Sequence, residues 1–130
     1  FAEAFAEYAH HKVRTEFWGY AAKESLDNEA FIKEEYQGIR PAPGYPSCPD
    51  HRLKNDIWDL LDVEKKINIS LTDSLAMWPT ASVSGLYFSH PQSRYFQLGR
   101  IDKDQVETYS KARGESIDEN ETWLSPVLGY

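Results

Sequence analysis

The sequence predicts an α+β fold in which helices flank a small antiparallel sheet. Helical spacing of apolar residues, with capping residues at the predicted ends, occupies most of the first 61 residues and returns after residue 102. Between residues 74 and 98 the pattern changes to short apolar and aromatic segments separated by proline-containing turns. A chain of 130 residues that is 41% hydrophobic and 14% aromatic suits one domain with a real core.

Three helices are predicted in the N-terminal half. The first covers residues 1–18 and places on one broad face Phe5, Tyr8, Ala9, Val13 and Phe17. The opposite face of this helix carries Glu3, Glu7, His10 and Arg14. A short second helix is capped around Asp27, runs to about Tyr36 and ends at Gly38.

The third helix is capped by Asp50, and its predicted buried side holds Leu53, Ile57, Leu60 and Leu61. A turn or short helical extension is expected over residues 63–69. After it, three strands are predicted over residues 74–78, 83–89 and 94–98, joined by connections of hairpin length. Asp102 opens a helix that runs through about Arg113 and is closed by Gly114, and a last short helix covers residues 117–124.

The predicted strands carry a group of aromatic residues that we expect mostly in the core: Trp78, Tyr87, Phe88, Tyr95 and Phe96. Successive side chains of a strand face opposite sides of the sheet. Tyr95 and Phe96 should therefore point to different sides, so that one can belong to the core while the other lines a site.

Charge and composition argue against several function classes. The net charge of −7 disfavours nucleic acid and anionic membranes, which reward basic patches, but suits a basic partner or a positively charged small ligand. No apolar run reaches the roughly 18 residues of a membrane span, and the first residues carry acids where a signal peptide carries bases. Because the chain lacks an initiator methionine and begins inside an apparent helix, we expect a piece of a longer protein.

No catalytic residue and no metal site are predicted. The single cysteine, Cys48, excludes an internal disulfide, fits a reducing cytoplasm, and lacks a helix N-terminus that would lower its pKa. Glycine-rich phosphate-binding motifs and a GxSxG nucleophile motif are absent. Four histidines have no zinc-binding spacing and are expected on the surface or in hydrogen bonds: His10, His11, His51 and His90.

The segment Arg40-Pro41-Ala42-Pro43-Gly44-Tyr45-Pro46, called the strip below, is the strongest candidate for a binding site. Its prolines fix φ and remove backbone donors, so the segment should be stiff and extended. Arg40 opens the strip, and a guanidinium held beside a rigid backbone suits bidentate binding of a carboxylate. Glu34 could position Arg40 or lie at an exposed helix end, whereas Glu35 is expected to be exposed.

The run Gln37-Gly38-Ile39-Arg40-Pro41-Ala42-Pro43-Gly44-Tyr45-Pro46-Ser47-Cys48-Pro49-Asp50-His51 resembles the S-adenosylmethionine strip in the C-terminal reactivation domain of cobalamin-dependent methionine synthase. Further segments resemble the same family in the same order: Ala2 to Tyr8, Trp18-Gly19-Tyr20, Ala76 to Pro79, Ala81 to Gly85, Tyr87 to Pro91 and Trp123 to Tyr130. The resemblance therefore covers essentially the whole chain.

The resemblance implies a C-shaped α+β domain with a twisted antiparallel sheet, inside a multidomain cytoplasmic enzyme. That enzyme is a 5-methyltetrahydrofolate–homocysteine S-methyltransferase of methionine biosynthesis. Its reactivation domain binds S-adenosylmethionine and docks over cobalamin, which a neighbouring domain holds. An electron from flavodoxin or a flavoprotein reductase then allows inactive cob(II)alamin to be remethylated. Alone, this chain should have no turnover.

The resemblance also implies the ligand-binding residues: Arg40, Ala42, Gly44, Tyr45, Tyr95 and Phe96, with Glu34 and Glu3 in possible supporting roles. Arg40 would pair with the methionyl carboxylate of the ligand, and the strip would contact the ligand through its backbone. In the family an aspartate from the first half of the domain holds the amino group of the ligand. No segment here matches that half, so residues 1–130 are expected to be the later portion of the domain.

Two alternatives stay open at this stage. The strip could be a proline-rich surface for docking a partner protein, with no small molecule bound. The chain could also act as a stand-alone reactivator of a corrinoid protein.

Overall fold

The computed structural model describes all residues, 1–130. The first part contains helices α1 (Ala2–Lys12), α2 (Asn28–Ile32), α3 (Leu53–Leu61) and α4 (Val63–Ile67), and a π-helical turn (Val13–Phe17) directly follows α1. Strands β1 (Ser70–Leu71) and β2 (Met77–Trp78) come next. Helices α5 (Lys103–Arg113) and α6 (Ile117–Leu124) and a 3₁₀ turn (Ser125–Val127) complete the chain. Helices around a small antiparallel sheet confirm the predicted α+β class.

The sheet is smaller than predicted. Strands β1 and β2 pair antiparallel through Ser70 opposite Trp78 and Leu71 opposite Met77. The strand expected over residues 74–78 is shortened to its last two residues. A turn precedes them, in which Leu75 has φ +61° and its N–H donates to the Thr72 carbonyl. A left-handed φ interrupts extended backbone, so pairing can resume only after that residue.

The strands predicted over residues 83–89 and 94–98 are wrong as strands. Residues 83–89 are extended and lie beside the strip, where Ile39 and Phe88 exchange two N–H···O bonds of 2.9 Å and the Leu86 N–H donates to the Pro41 carbonyl. The ladder stops there, since Pro41 and Pro43 have no N–H to donate. Residues 94–98 contribute a single long backbone bond, from the Leu98 N–H to Pro46.

The last two helices confirm their predicted ends. Asp102 and Gln105 form a capping box at the start of α5, and Gly114 ends that helix. The Ser116 side chain caps α6 by accepting the Glu119 N–H at 3.2 Å. The two helices pack around a core of Ile101, Val106 and Leu124, against which Tyr109, Val127 and Leu128 lie.

Two other helix boundaries differ from the prediction. Helix α2 ends at Ile32 instead of Tyr36, because Glu34 adopts φ +53° and breaks the helical run. Helix α3 begins at Leu53, because the Asp50 carboxylate accepts the Arg52 N–H and side chain and thereby stabilises the preceding turn. The predicted buried side of α3 is wrong for Leu60 and Leu61, which are exposed, whereas Leu53 and Ile57 are half-buried.

Burial along α1 and the turn that follows it does not match the predicted apolar face. Phe5 and Tyr8 of α1 and Phe17 of the following π-helical turn are exposed, whereas His10 of α1 and Arg14 of the turn are fully buried. A buried guanidinium must be paired. The Arg14 Nε and Nη2 atoms accordingly donate to Glu24 at 2.7 and 2.8 Å. His10 and Arg14, which the sequence placed on the polar face, therefore lie on the packing side.

The aromatic group expected mostly in a core is exposed instead. Its members retain between 38% and 63% of their accessible surface: Trp78, Tyr87, Phe88, Tyr95 and Phe96. The absent strands explain this result, because without a continuous ladder the segments do not form a sheet face that could cover a core. No helix combines the length and the apolar character needed to cross a membrane.

Candidate functional site

The strip forms one wall of an open groove with a volume of about 1530 Å³. The first turns of α1 lie along this groove, together with residues 80–87 and residues 95–97. His51 and Lys54 line it below the strip. A concave surface that combines apolar and aromatic residues with polar groups such as Arg40 is typical of a small-molecule site.

The strip is extended only over its first half. Pro41 and Pro43 are buried, and the Pro41 carbonyl accepts the Leu86 N–H at 2.9 Å. Gly85 packs directly on that carbonyl, and a Cβ at Gly85 would lie 2.8 Å from the oxygen. Beyond Pro43 the chain turns, and Tyr45 and Cys48 form an isolated bridge that returns the backbone toward α3. The predicted stiff segment is therefore an extended arm followed by a tight turn.

Gly44 sits at the corner of this turn. Its φ is +98°, and its N–H donates to the Cys48 carbonyl at 2.8 Å. The His51 ring lies against it so closely that a Cβ at Gly44 would be 2.2 Å from Cε1. Only glycine satisfies both the backbone conformation and the contact.

Lys54 holds His51 in this position. The Lys54 Nζ donates to His51 Nδ1 and to the Leu75 carbonyl, each at 2.8 Å. Burial lowers the pKa of Lys54, and burial with the nearby Lys54 charge lowers the pKa of His51. Since an ammonium group can only donate, His51 Nδ1 accepts, and the neutral ring carries its proton on Nε2. The sequence patterns had not indicated Lys54.

The Arg40 side chain is held by contacts from α1 and from Tyr36, which follows α2. Its Nη1 donates to the Tyr36 hydroxyl at 2.8 Å and to His10 Nδ1 at 3.3 Å. Its Nη2 donates to Glu7 Oε2 at 2.6 Å, and the other Glu7 oxygen is buried without a hydrogen bond. Burial alone would lower the pKa of Arg40, but the bonds to Glu7 and Tyr36 outweigh it and raise the pKa.

Arg40 retains two donors for a further partner. A guanidinium has five N–H groups. Both hydrogens of Nη1 and one of Nη2 are used, so Nε–H and the second Nη2–H have no partner in the structure. These donors lie on neighbouring nitrogens, which is the arrangement that binds one carboxylate through two hydrogen bonds.

Tyr95 contacts the backbone of the strip. Its hydroxyl accepts the Arg40 N–H at 2.9 Å, which joins the 94–98 segment to the start of the strip. Tyr95 and Phe96 both line the groove, and both are exposed, so neither belongs to the core as expected for one of them. Successive side chains alternate only in regular strand geometry, which this segment lacks.

The family is evident from comparison with known proteins. The sequence profile described as "Vitamin B12 dependent methionine synthase, activation domain" matches residues 1–114. The chain belongs to this family. It is also similar to a solved structure of the MetH reactivation domain bound to AdoHcy, with 60% sequence identity and a TM-score of 0.95. The match covers 99% of this chain and 40% of that chain, so the resemblance found in the sequence is confirmed.

The remaining site residues of this activation-domain chain differ in their placement. Ala42 and Tyr45 lie in the groove wall with the rest of the strip, and Tyr45 is largely exposed there. Glu3 lines the groove from the first turn of α1. Glu34 is exposed and lies outside the groove lining. Burial raises the pKa of Tyr36 to about 12, and the charge of Glu34 contributes to this rise.

The histidines and Cys48 do not assemble a reactive centre in the activation-domain chain. No group of three or more His, Cys, Asp or Glu side chains is placed to hold a metal ion. His10 is buried, His11 bonds Glu24 at 3.1 Å, His51 lies under the strip and His90 is exposed. Burial raises the pKa of the Cys48 thiol, which disfavours the thiolate needed for nucleophilic chemistry.

Gly44→Ala is expected to destabilise the fold by about 2–4 kcal/mol. About 1 kcal/mol comes from the left-handed φ and the rest from overlap with the His51 ring. Gly99→Ala is a matched control, because Gly99 has φ +74° but nothing within 4 Å of its Cβ position. Urea unfolding should show the smaller cost for Gly99→Ala. Adding His51→Ala should reduce the Gly44→Ala cost, and an unchanged cost would refute the steric account.

Proposed function

We propose that this chain is the later portion of an S-adenosylmethionine-binding domain that supports reductive remethylation of cob(II)alamin in methionine synthase. The observation that carries the proposal is the Arg40 guanidinium, with two free donors at the edge of the groove. Family membership and the AdoHcy bound to the similar domain support the choice of ligand.

The proposed ligand matches the chemistry of the groove. S-adenosylmethionine offers a carboxylate for Arg40, and its adenosyl group can lie along the backbone of Ala42, Gly44 and Tyr45. Gly44 can offer the ligand only its backbone, because the His51 ring fills the position that a side chain would take. The aromatic rings of Tyr45 and Phe96 are exposed in the groove, where a ring face can attract a sulfonium by roughly 0.5–2 kcal/mol.

Charge also favours S-adenosylmethionine. The molecule carries a sulfonium and an ammonium against one carboxylate, so it is a net cation, and the chain has a net charge of −7. Glu3 provides a carboxylate within the groove lining. We propose only a minor role for Glu34, through its charge near Tyr36, because the residue lies away from the groove.

The proposed mechanism assigns positioning to this chain and no proton transfer. The sulfonium is already an activated leaving group, so binding it in one orientation is the contribution that the protein can make. Cobalamin, held by a neighbouring domain, supplies the metal chemistry when it is docked. An open groove suits this role, since the methyl group must remain accessible to a centre outside the chain.

The partners and surroundings of the domain follow from the same proposal. The cobalamin-binding domain of the same enzyme would dock over the groove, and flavodoxin or a flavoprotein reductase would donate the electron. The 40% coverage of the similar domain supports the interpretation that residues 1–130 form part of a larger domain. The single free cysteine is compatible with a cytoplasmic enzyme.

Calorimetry with AdoHcy and S-adenosylmethionine on the full-length protein tests the proposal. We expect saturable binding at one site, and methyl transfer from S-adenosylmethionine to cobalamin when a reductant is supplied. Absence of binding with retained association of the cobalamin domain would instead support a docking module. Remethylation of a separate corrinoid protein alone would support a stand-alone reactivator.

A further inference from the structure

We propose that His10 is a positioning residue for the ligand carboxylate, acting through Arg40 without touching the ligand. This inference rests on the proposed binding of S-adenosylmethionine. His10 has no accessible surface and stacks on Tyr87 at a ring distance of 5.1 Å, with its edge against Tyr36. It is therefore held rigidly behind the groove.

The donor and acceptor of each hydrogen bond around His10 can be assigned from the chemistry of its neighbours. A guanidinium can only donate, so His10 Nδ1 accepts from Arg40 Nη1 at 3.3 Å. The proton of the neutral ring then lies on Nε2, which faces the Tyr20 hydroxyl at 3.4 Å. Tyr20 in turn donates to the Gln37 carbonyl at 3.4 Å. The chain of contacts thus runs from the Arg40 side chain back to the backbone that leads into the strip.

The lowered pKa of His10 keeps its ring neutral, so that the ring can accept a hydrogen bond from Arg40. Burial and the charges of Arg14 and Arg40 lower the pKa of His10 to about 4, against a smaller opposing effect of Glu24. The ring is consequently neutral near pH 7. A carboxylate at this position would form a second ion pair with Arg40 and weaken its attraction for the ligand.

His10 and Tyr36 together occupy the Nη1 end of the guanidinium. With both Nη1 hydrogens directed to these acceptors, the Nε edge is the part left for a ligand. The individual contacts to His10 are long, so the expected contribution is orientation of the fork. Loss of the acceptor should therefore weaken recognition of the carboxylate and leave adenosyl binding unchanged.

The test compares His10→Phe with His10→Asn in the full-length protein. Phenylalanine keeps a ring in the stack and removes the acceptor, whereas the asparagine oxygen can replace Nδ1. We expect His10→Phe to weaken AdoHcy binding by up to roughly tenfold, because the Arg40 side chain must then be ordered when the ligand binds. His10→Asn should recover most of the loss, and His90→Phe, at an exposed histidine, should have no effect.

A ligand without a carboxylate separates positioning from general structural damage. Binding of 5′-methylthioadenosine, followed by NMR, should be the same in His10→Phe and in the unaltered protein. Equal weakening of both ligands, or no weakening of AdoHcy, would overturn the inference. If Arg40→Ala leaves AdoHcy binding unchanged, the proposed site itself fails.

The tautomer of His10 provides a test that needs no variant. Nitrogen-15 NMR of the unaltered protein should show the His10 proton on Nε2 and an unprotonated Nδ1 at neutral pH. A proton on Nδ1 would contradict the bond from Arg40 and overturn the inference even if a variant failed to fold.

Discussion

Arg40→Ala should weaken binding of AdoHcy to the full-length protein at least about 100-fold. Two hydrogen bonds to a charged group contribute about 1.5–3 kcal/mol each, and tenfold in affinity corresponds to 1.4 kcal/mol. The substitution also leaves Glu7, which Arg40 now pairs at 2.6 Å, as an uncompensated negative charge close to the ligand carboxylate. Isothermal titration calorimetry measures the effect directly.

Arg40→Lys is the matched control for charge. Lysine keeps the cation but cannot present two donors on neighbouring nitrogens while also bonding Tyr36 and Glu7. We expect an intermediate loss, about tenfold. Far-ultraviolet circular dichroism should confirm that both variants are folded, and unchanged affinity in Arg40→Ala would show that the carboxylate binds elsewhere.

Asp50→Ala should reduce the stability of the domain by about 3–5 kcal/mol. Asp50 is 3% exposed and pairs with buried Arg52, whose Nη2 lies 2.6 Å from Oδ2. The Tyr109 hydroxyl donates to the same oxygen, and Arg52 also donates to Asn120. Removing Asp50 leaves the buried guanidinium with Glu115, 2.6 Å from Nη1, as its remaining close counter-charge, and this loss is more costly than that of a surface pair. The network also joins the segment that follows the strip to α5 and α6.

Urea unfolding of the complete domain, followed by tryptophan fluorescence, is a suitable measurement because Trp123 lies beside Arg52. Lys33→Ala is the control, since its pair with Glu29 is exposed and should contribute less than about 0.5 kcal/mol. A cost for Asp50→Ala similar to that of the control would show that the buried network does not stabilise the fold.

The Asp50 contribution should depend on pH. Burial alone would raise the pKa of Asp50, but hydrogen bonds from Arg52 and Tyr109 outweigh it and lower the pKa. The folded protein therefore binds this proton more weakly than the unfolded chain, and the stabilisation is complete above the unfolded pKa of about 3.9. It is lost as the pH falls through the lower folded pKa, where Asp50→Ala and the unaltered protein should converge.

Local signals in the sequence determined the helices of the C-terminal part, the position of the strip and the family. Asp102, Gly114 and the strip prolines act through their own backbone, so their effects are readable from neighbouring residues. Arg40 was identifiable for the same reason, since it opens a segment that cannot be helix. The remaining predicted ligand contacts followed from the family resemblance and stay predictions.

Only the tertiary structure decided how these pieces meet. The burial of His10 and Arg14 depends on Glu24, Tyr36 and Arg40, which are distant in sequence, and their pairing makes a polar helix face suitable for packing. Hydrophobic periodicity indicates only which apolar residues avoid water. It cannot show which polar groups will find hydrogen-bond partners. The absence of a strand over residues 83–89 also depends on a distant segment, because Pro41 and Pro43 beside it cannot continue a ladder.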